Sequence, residues 1–346
     1  MTTTSDKKCE TNGFAFVEFV SQSPDQLEMD FIQLGFRKRG RSMNGHLVFF
    51  AQGNIVFVIN LSPAGNAAQY RNQHGQGVSG LGLYVNTPDS VWQNCVENGC
   101  TPIEDKEYGF NAIECIGGSS LYLVDKSAFE TLLEKEVIPT LSPDKGSEMG
   151  LMEIDHLTHN VHRGNMADWE RFYVDLFNFT RIRTFNIKGS KTGLRSVALV
   201  SPCGKIRIPI NESTDDQSQI EEFIGLNHGE GVQHIAFSTQ DIYQSVDKLK
   251  TAGIPFQDTP DTYYELLGTR VPNHGENTQE LHRLGILLDS DKQARPGKLL
   301  QIFTKETVGP LFFEIIQRKG NHGFGEGNFQ ALFESIELDQ IKRGVI

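Results

Sequence analysis

Apolar runs of strand length alternate with amphipathic stretches along this chain, and the alternation passes through the same cycle twice. HGQGVSGLGLYVNTPDSVWQNCVENGCTP begins at His74, and HGEGVQHIAFSTQDIYQSVDKLKTAGIPF begins at His228. Aligned without a gap, both read HGxGV, an apolar strand, an amphipathic helix and then a glycine, Gly99 or Gly253, placed to stop that helix in a left-handed conformation. Flanking pieces correspond as well: GFAFVEFV with MEIDHLTHNV, DFIQLGFRKR with RFYVDLFNFTRIR, and SSLYLVDK with KLLQIFTK. The pattern predicts two copies of a strand–helix–strands module over residues 12–140 and 150–346, the second with an extra C-terminal helix. Between them LEKEVIPTLSPDKGSEMG, charged and containing Pro and Gly, reads as a linker.

The copies differ where a polar group interrupts an apolar strand. Gly80 of the first stands opposite His234 of the second, GFAFVEFV has no counterpart of His156, and nothing in the first copy matches Glu314 in LFFEIIQR. An ionised carboxylate in such an apolar setting is expensive unless something positive meets it. By strand parity His156 shares a face with Ile154 and Thr158, His234 with Val232, Ala236 and Ser238, and Glu314 with Phe312 and Ile316. If those faces converge inside a curved sheet, two imidazoles and one carboxylate surround one point with positions left open. That donor set favours a non-haem Fe(II) centre, with zinc and hydrolytic chemistry open on spacing alone. His159 and His162 complete an HxxHxxH run with His156, but on a strand His159 points away. His46, His274, His282 and His322 sit in polar surroundings and read as solvated. The asymmetry predicts one structural half and one active half.

A formal charge of −12 and a pI near 5.3 argue against nucleic-acid or anionic-membrane partners. No apolar run reaches membrane-span length, and MTTTSDKKCETNGF carries no signal-peptide core. Five cysteines, odd in number and without a CxxC pair, suit a reducing cytoplasm. In GFGEGNFQALFESIELDQ, glycines 323, 325 and 327 read as a hinge and not as a dinucleotide fingerprint. They precede a helix expected from about Asn328 to Ile341, apolar at Phe329, Leu332, Phe333 and Ile336.

IDHLTHNV, PINE, GVQHIAF, LGILLD, LLQIFT, FFEIIQR and GFGEGNFQALFESIE, in this order and spacing, carry a resemblance over almost the whole chain. The chain resembles the 4-hydroxyphenylpyruvate dioxygenases of the vicinal-oxygen-chelate superfamily. The resemblance implies an α+β fold of paired βαβββ units forming two open barrels, one Fe(II) per chain on His156, His234 and Glu314, and a C-terminal lid helix. It implies conversion of 4-hydroxyphenylpyruvate and O2 to homogentisate and CO2 in tyrosine and phenylalanine catabolism, by a cytoplasmic homodimer or homotetramer. It places Ser196, Pro209, Asn211, Gln219, Gln233, Gln301, Phe303, Phe312 and Phe329 around the substrate. Hydroxymandelate synthase, sharing fold, ligands and substrate but hydroxylating the side chain, is the nearest alternative, and the PIN of 209–211 with Phe312 and Phe313 favours the ring. A non-catalytic ligand-binding protein of the same fold is the alternative of another class; it would not need the His/His/Glu set.

Overall fold

The computed structural model describes residues 9–104, 106–140, 148–189, 191–290 and 297–321, and beyond them 323, 325, 327, 328, 330, 333, 337, 340, 341 and 343–345. Two mixed sheets carry the fold. In the second, the strand order is Thr180–Lys188, Gly193–Val200, Arg207–Ser213, Leu151–Val161, Gly231–Thr239, Phe312–Lys319, Lys298–Phe303, Leu287–Ser290. The first repeats that order strand for strand as Arg37–Ser42, Leu47–Gln52, Ile55–Asn60, Thr11–Val20, Gly77–Val85, Ser120–Val124, Asn111–Glu114, Pro102–Ile103. In each, two βαβββ units meet at a central antiparallel pair: Thr11–Val20 with Gly77–Val85, and Leu151–Val161 with Gly231–Thr239.

Strand alternation decides what each face buries. Val17 and Phe19 of one central strand, and Leu157 and Val161 of the other, enter a single core shared by both halves. Amphipathic helices contribute Phe31, Val91, Tyr173, Phe177, Val246 and Leu249 to it. Aromatic contacts cross the boundary, with Phe57 5.8 Å from Phe237 and 6.2 Å from Phe313 between ring centroids. The opposite faces, bearing Phe16 and Glu18 in one half and His156, Thr158 and Asn160 in the other, line the inside of each curved sheet. Gly99 and Gly253 have φ of +91° and +89°, the left-handed helix stop that the repeat predicts.

Two readings of the sequence need correction. Ser120–Val124 corresponds to Phe312–Lys319 and not to KLLQIFTK, because each runs parallel to the second strand of its central pair, with Gly80 opposite Ser120 and His234 opposite Phe312. The second half carries extra helices, Asp261–Glu265, Leu267–Arg270 and Thr278–Leu284, so the interval to its last strand is longer and chain distance mismatched the two apolar strands. The stretch read as a linker is also partly regular. It begins within the helix Lys126–Lys135 and continues as Val137–Pro139, a ninth strand on the edge of the first sheet against Arg37–Ser42. Its residues 141–147 lie outside those described.

Among the described residues no helix is long and apolar enough to cross a membrane. All five cysteines are free.

Candidate metal centre

The inner face of the second sheet brings together the three groups that strand parity selects. His156 and His234 lie on the central pair and Glu314 on the strand beside His234. All three are buried. His156 Nε2 is 3.3 Å from His234 Nε2 and 3.2 Å from Glu314 Oε2, and His234 Nε2 is 3.5 Å from the same oxygen. Donors about 2.1 Å from a common centre are about 3.0 Å apart at right angles and about 3.4 Å apart in a tetrahedron. The observed triangle admits one ion at its middle, and among the described residues this is the sole His/Cys/Asp/Glu cluster so arranged.

Each donor is aimed by a neighbour. The side chain before each histidine accepts from its Nδ1, Asp155 Oδ1 at 2.9 Å from His156 and Gln233 Oε1 at 2.9 Å from His234. This leaves both Nε2 atoms for a metal, the usual function of a hydrogen-bonded partner behind a ligating imidazole. Gln301 Nε2 donates to Glu314 Oε1 at 2.7 Å, turning Oε2 toward the histidines. Adjacent strand residues ordinarily face opposite sides. Asp155 reaches its own neighbour because pairing shifts between Ile154 and His156, so a bulge turns its carboxylate inward.

The electrostatics suit a cation. Burial by itself would lower the pKa of His156, but Glu314 and Asp155 raise it to about 9. Burial and the adjacent His156 hold His234 well below its ordinary value, so it is neutral. Burial opposes ionisation of Asp155, yet Arg318 and His156 keep its carboxyl far below the usual range.

A cavity opens beside the three donors, lined also by Thr158, Phe185, Ser196, Pro209, Asn211, Gln301 and Phe303. Asn211 Nδ2 donates to Asn160 Oδ1 at 3.2 Å, while Asn211 Oδ1 is a buried acceptor without a protein partner.

Known proteins resemble this chain in sequence and in fold. A 4-hydroxyphenylpyruvate dioxygenase of Legionella pneumophila is 47% identical over 345 residues, which cover 99% of this chain and 98% of that one. The chain belongs to the 4-hydroxyphenylpyruvate dioxygenase family. Residues 6–134 match the family described as hydroxyphenylpyruvate dioxygenase, N-terminal, and residues 153–280 match the glyoxalase/bleomycin resistance protein/dioxygenase superfamily. A solved structure of a xylose isomerase-like TIM barrel/4-hydroxyphenylpyruvate dioxygenase fusion protein superposes with a TM-score of 0.82 at 28% identity, covering 96% of this chain and 53% of that longer one. A mutant 4-hydroxymandelate synthase from Streptomyces coelicolor superposes with a TM-score of 0.79 over 96% of this chain and 99% of its own, at 24% identity, which shows a common fold. Membership in this dioxygenase family implies a non-haem metal, and the His/His/Glu triangle has the donors for one.

Of the residues that the resemblance places around the substrate, Ser196, Pro209, Asn211, Gln301 and Phe303 line the cavity. Phe312 stacks on the His234 ring at 4.9 Å and meets Phe303 edge-on at 6.2 Å. Gln233 sits behind His234 as its orienting acceptor, and Gln219 is buried at the start of the helix Gln219–Asn227; neither is among the lining residues. Phe329 lies outside the described residues. His159 points into the shared core, where Nε2 is 2.7 Å from the Tyr173 hydroxyl.

Sequence reading passed over Thr158, Phe185, Asp155 and Arg318. Thr158 Oγ1 is 3.0 Å from His234 Nε2, and its parity with His156 was available as a signal. Phe185 stands across from Ser196 on an edge strand otherwise full of charge, an aromatic where an exposed strand has no need of one. No local pattern marks Asp155, whose inward turn depends on the bulge.

Gly325 and Gly327 have a steric reason beyond flexibility. A Cβ on Gly325 would lie 2.3 Å from Gln301 Oε1, and one on Gly327 2.9 Å from Asp289 Oδ1. The described residues from Gly327 to Arg343 are helical. Phe333 is buried against Phe185, Ile187, Leu194, Ile220 and Phe223, and Asn328 Nδ2 donates to Gln301 Oε1 at 2.8 Å.

Proposed function

We propose that this chain is an Fe(II) dioxygenase that converts 4-hydroxyphenylpyruvate and O2 to homogentisate and CO2 in tyrosine and phenylalanine breakdown. The observation that carries the reading is the convergence of His156 Nε2, His234 Nε2 and Glu314 Oε2 beside a buried cavity, in a chain 47% identical to a relative named for that reaction. Bound there, one iron(II) per chain would supply a Lewis acid for a chelating 2-oxo acid and electrons for O2.

The chain's own residues do the remainder. Asp155, Gln233 and Gln301 hold the three ligands in orientation, so little rearrangement is needed when substrate arrives. Asn211 Oδ1, the unmatched buried acceptor, suits a phenol hydroxyl, and Ser196 faces it across paired strands. Phe185 and Phe303 offer apolar surface to the ring. Phe312 fixes the His234 ring from behind, and Gln219 and Pro209 support the wall. The C-terminal helix, with Phe333 packed in one cluster with the cavity residue Phe185, keeps water from the reacting centre. The residues over 12–140 act as a structural half, and the assembly is a cytoplasmic homodimer or homotetramer.

The test is product analysis after aerobic incubation of Fe(II)-loaded protein with 4-hydroxyphenylpyruvate. Homogentisate is expected. 4-Hydroxymandelate would assign side-chain hydroxylation instead, and binding without O2 uptake would make the chain a ligand carrier.

A further inference from the structure

Arg318 reaches across the strand Gly231–Thr239 to the bulge beside His156. Its Nε and Nη2 each lie 2.7 Å from a different oxygen of Asp155, a bidentate fork on a buried carboxylate. The same Asp155 Oδ1 takes the hydrogen bond from His156 Nδ1. The remaining terminal nitrogen, Nη1, donates to the carbonyl of Gly323, in the segment that leads from the last strand into the C-terminal helix. That segment is held further by Gly323 N donating to Asn321 Oδ1 at 2.6 Å and Asn321 Nδ2 donating to Gly297 O at 3.3 Å. Arg207 comes no nearer to the carboxylate than 3.7 Å, so Arg318 is its main cationic partner.

We infer that Arg318 is a positioning residue with two simultaneous tasks: through Asp155 it fixes the ring of His156, and through Gly323 it ties that ring to the seating of the C-terminal helix. The geometry requires a guanidinium. A lysine ammonium is a point charge that can meet Asp155 but cannot present a fork and a third donor at fixed angles. Opening of the helix is therefore felt at His156 Nε2, and loosening of Arg318 is felt in the helix. The inference rests on the metal site of the proposed function, yet neither measurement below needs substrate or turnover.

Arg318→Lys is compared with wild type in the full-length chain by chelator competition for Fe(II), by the visible bands of the Co(II)-substituted protein, and by deuterium exchange over residues 327–343. The expected result is metal binding weaker by about 10- to 100-fold, in the range for losing a partner behind a ligand, with shifted Co(II) bands and faster exchange in the helix. Asp155→Asn keeps the size and one acceptor for His156, and it serves if the lysine variant folds poorly. It should weaken metal binding and shift the Co(II) bands, and the slackened fork should speed exchange in the helix as well. Unchanged affinity and bands in a folded variant would overturn the positioning claim. Weaker binding with wild-type exchange would overturn the link to the helix. If wild type itself takes up no metal, the functional reading is what has failed.

Discussion

The two sheets have one strand order and opposite interiors. At the positions that His156, His234 and Glu314 occupy in the second, the first has Phe16, Gly80 and Tyr122. A Cβ on Gly80 would come 2.8 Å from the Tyr122 ring, so the aromatic occupies the space an imidazole would need. Phe16 packs on Tyr108, Tyr122 and Phe129 with centroids 4.8, 5.4 and 5.4 Å away. Phe129 comes from the helix Lys126–Lys135 that follows Ser120–Val124, as the C-terminal helix follows Phe312–Lys319 in the second half. The first interior still keeps one carboxylate, Glu18, which accepts from Ser79 Oγ, Asn60 Nδ2 and Tyr108 OH at 2.7–2.8 Å. A curved sheet must fill its inside or satisfy what it buries there. The first half does so with rings and neutral donors. The second leaves a cavity and three donors whose charge balance calls for a cation.

Removing a metal ligand tests that contrast most severely. Alanine at His156, His234 or Glu314 should each abolish metal binding and bring turnover to background, because two donors retain neither the affinity nor the geometry. His159→Ala should keep the metal. Analysis of the intact protein should find one metal ion per chain; two would mean that the aromatic-filled half also binds one, and the comparison would collapse.

The helices that close the two interiors should respond differently. Phe129→Ala hollows a packed plug and should cost about 3–5 kcal/mol in urea unfolding while leaving turnover per folded molecule intact. Phe333→Ala should cost less global stability, since a terminal helix can open locally, but should lower homogentisate formed per O2 consumed. Truncation after Gly320 should give that uncoupling in full with the metal still bound, since all three ligands lie upstream, but held more weakly, since Arg318 loses its contact with Gly323. Coupled turnover at the normal rate without the helix would reduce it to a structural cap.

Much of this was legible in the chain. The HGxGV repeat and its helix-stop glycines located the central strands, and parity picked the three donors, because a period of two is local information. The strand equivalence of Ser120–Val124 was not legible, since pairing partners depend on topology and the second half contains three extra helices. Nor were Asp155 and Arg318, which lie 163 residues apart and meet only through a bulge and a crossing of the sheet. Gln233 and Gln301 were recognisable as polar residues near the site. Their action as orienters of His234 and Glu314 needed the geometry.

A smaller effect sharpens the contrast from the other direction. Gly80→His restores the residue type of the second half to the first, but the Tyr122 ring stands in its way. Overpacking of this kind should cost about 1–3 kcal/mol in urea unfolding, with metal content still at one per chain. A second bound metal in this variant would show that the aromatic plug yields easily and that a single residue separates the halves.

The gentlest test concerns His159, the histidine that parity sends to the shared core. It is fully buried, its Nδ1 has no partner, and burial lowers its pKa to about 3. An unfolded chain protonates the same ring near its ordinary value of about 6.5. As pH falls below about 6.5 the unfolded state gains a proton that the folded state refuses, so stability attributable to this residue declines until the folded ring itself titrates near 3. The slope approaches about 1.4 kcal/mol per pH unit. His159→Gln cannot titrate, and the other acidic and imidazole groups are common to both proteins. The free energy of unfolding of wild type should therefore fall more steeply than that of the variant between about pH 6 and pH 4, with the two curves running parallel above about pH 7.5. Parallel curves throughout would mean that His159 carries a proton in the folded core, and its assignment to packing instead of charge would have to be abandoned.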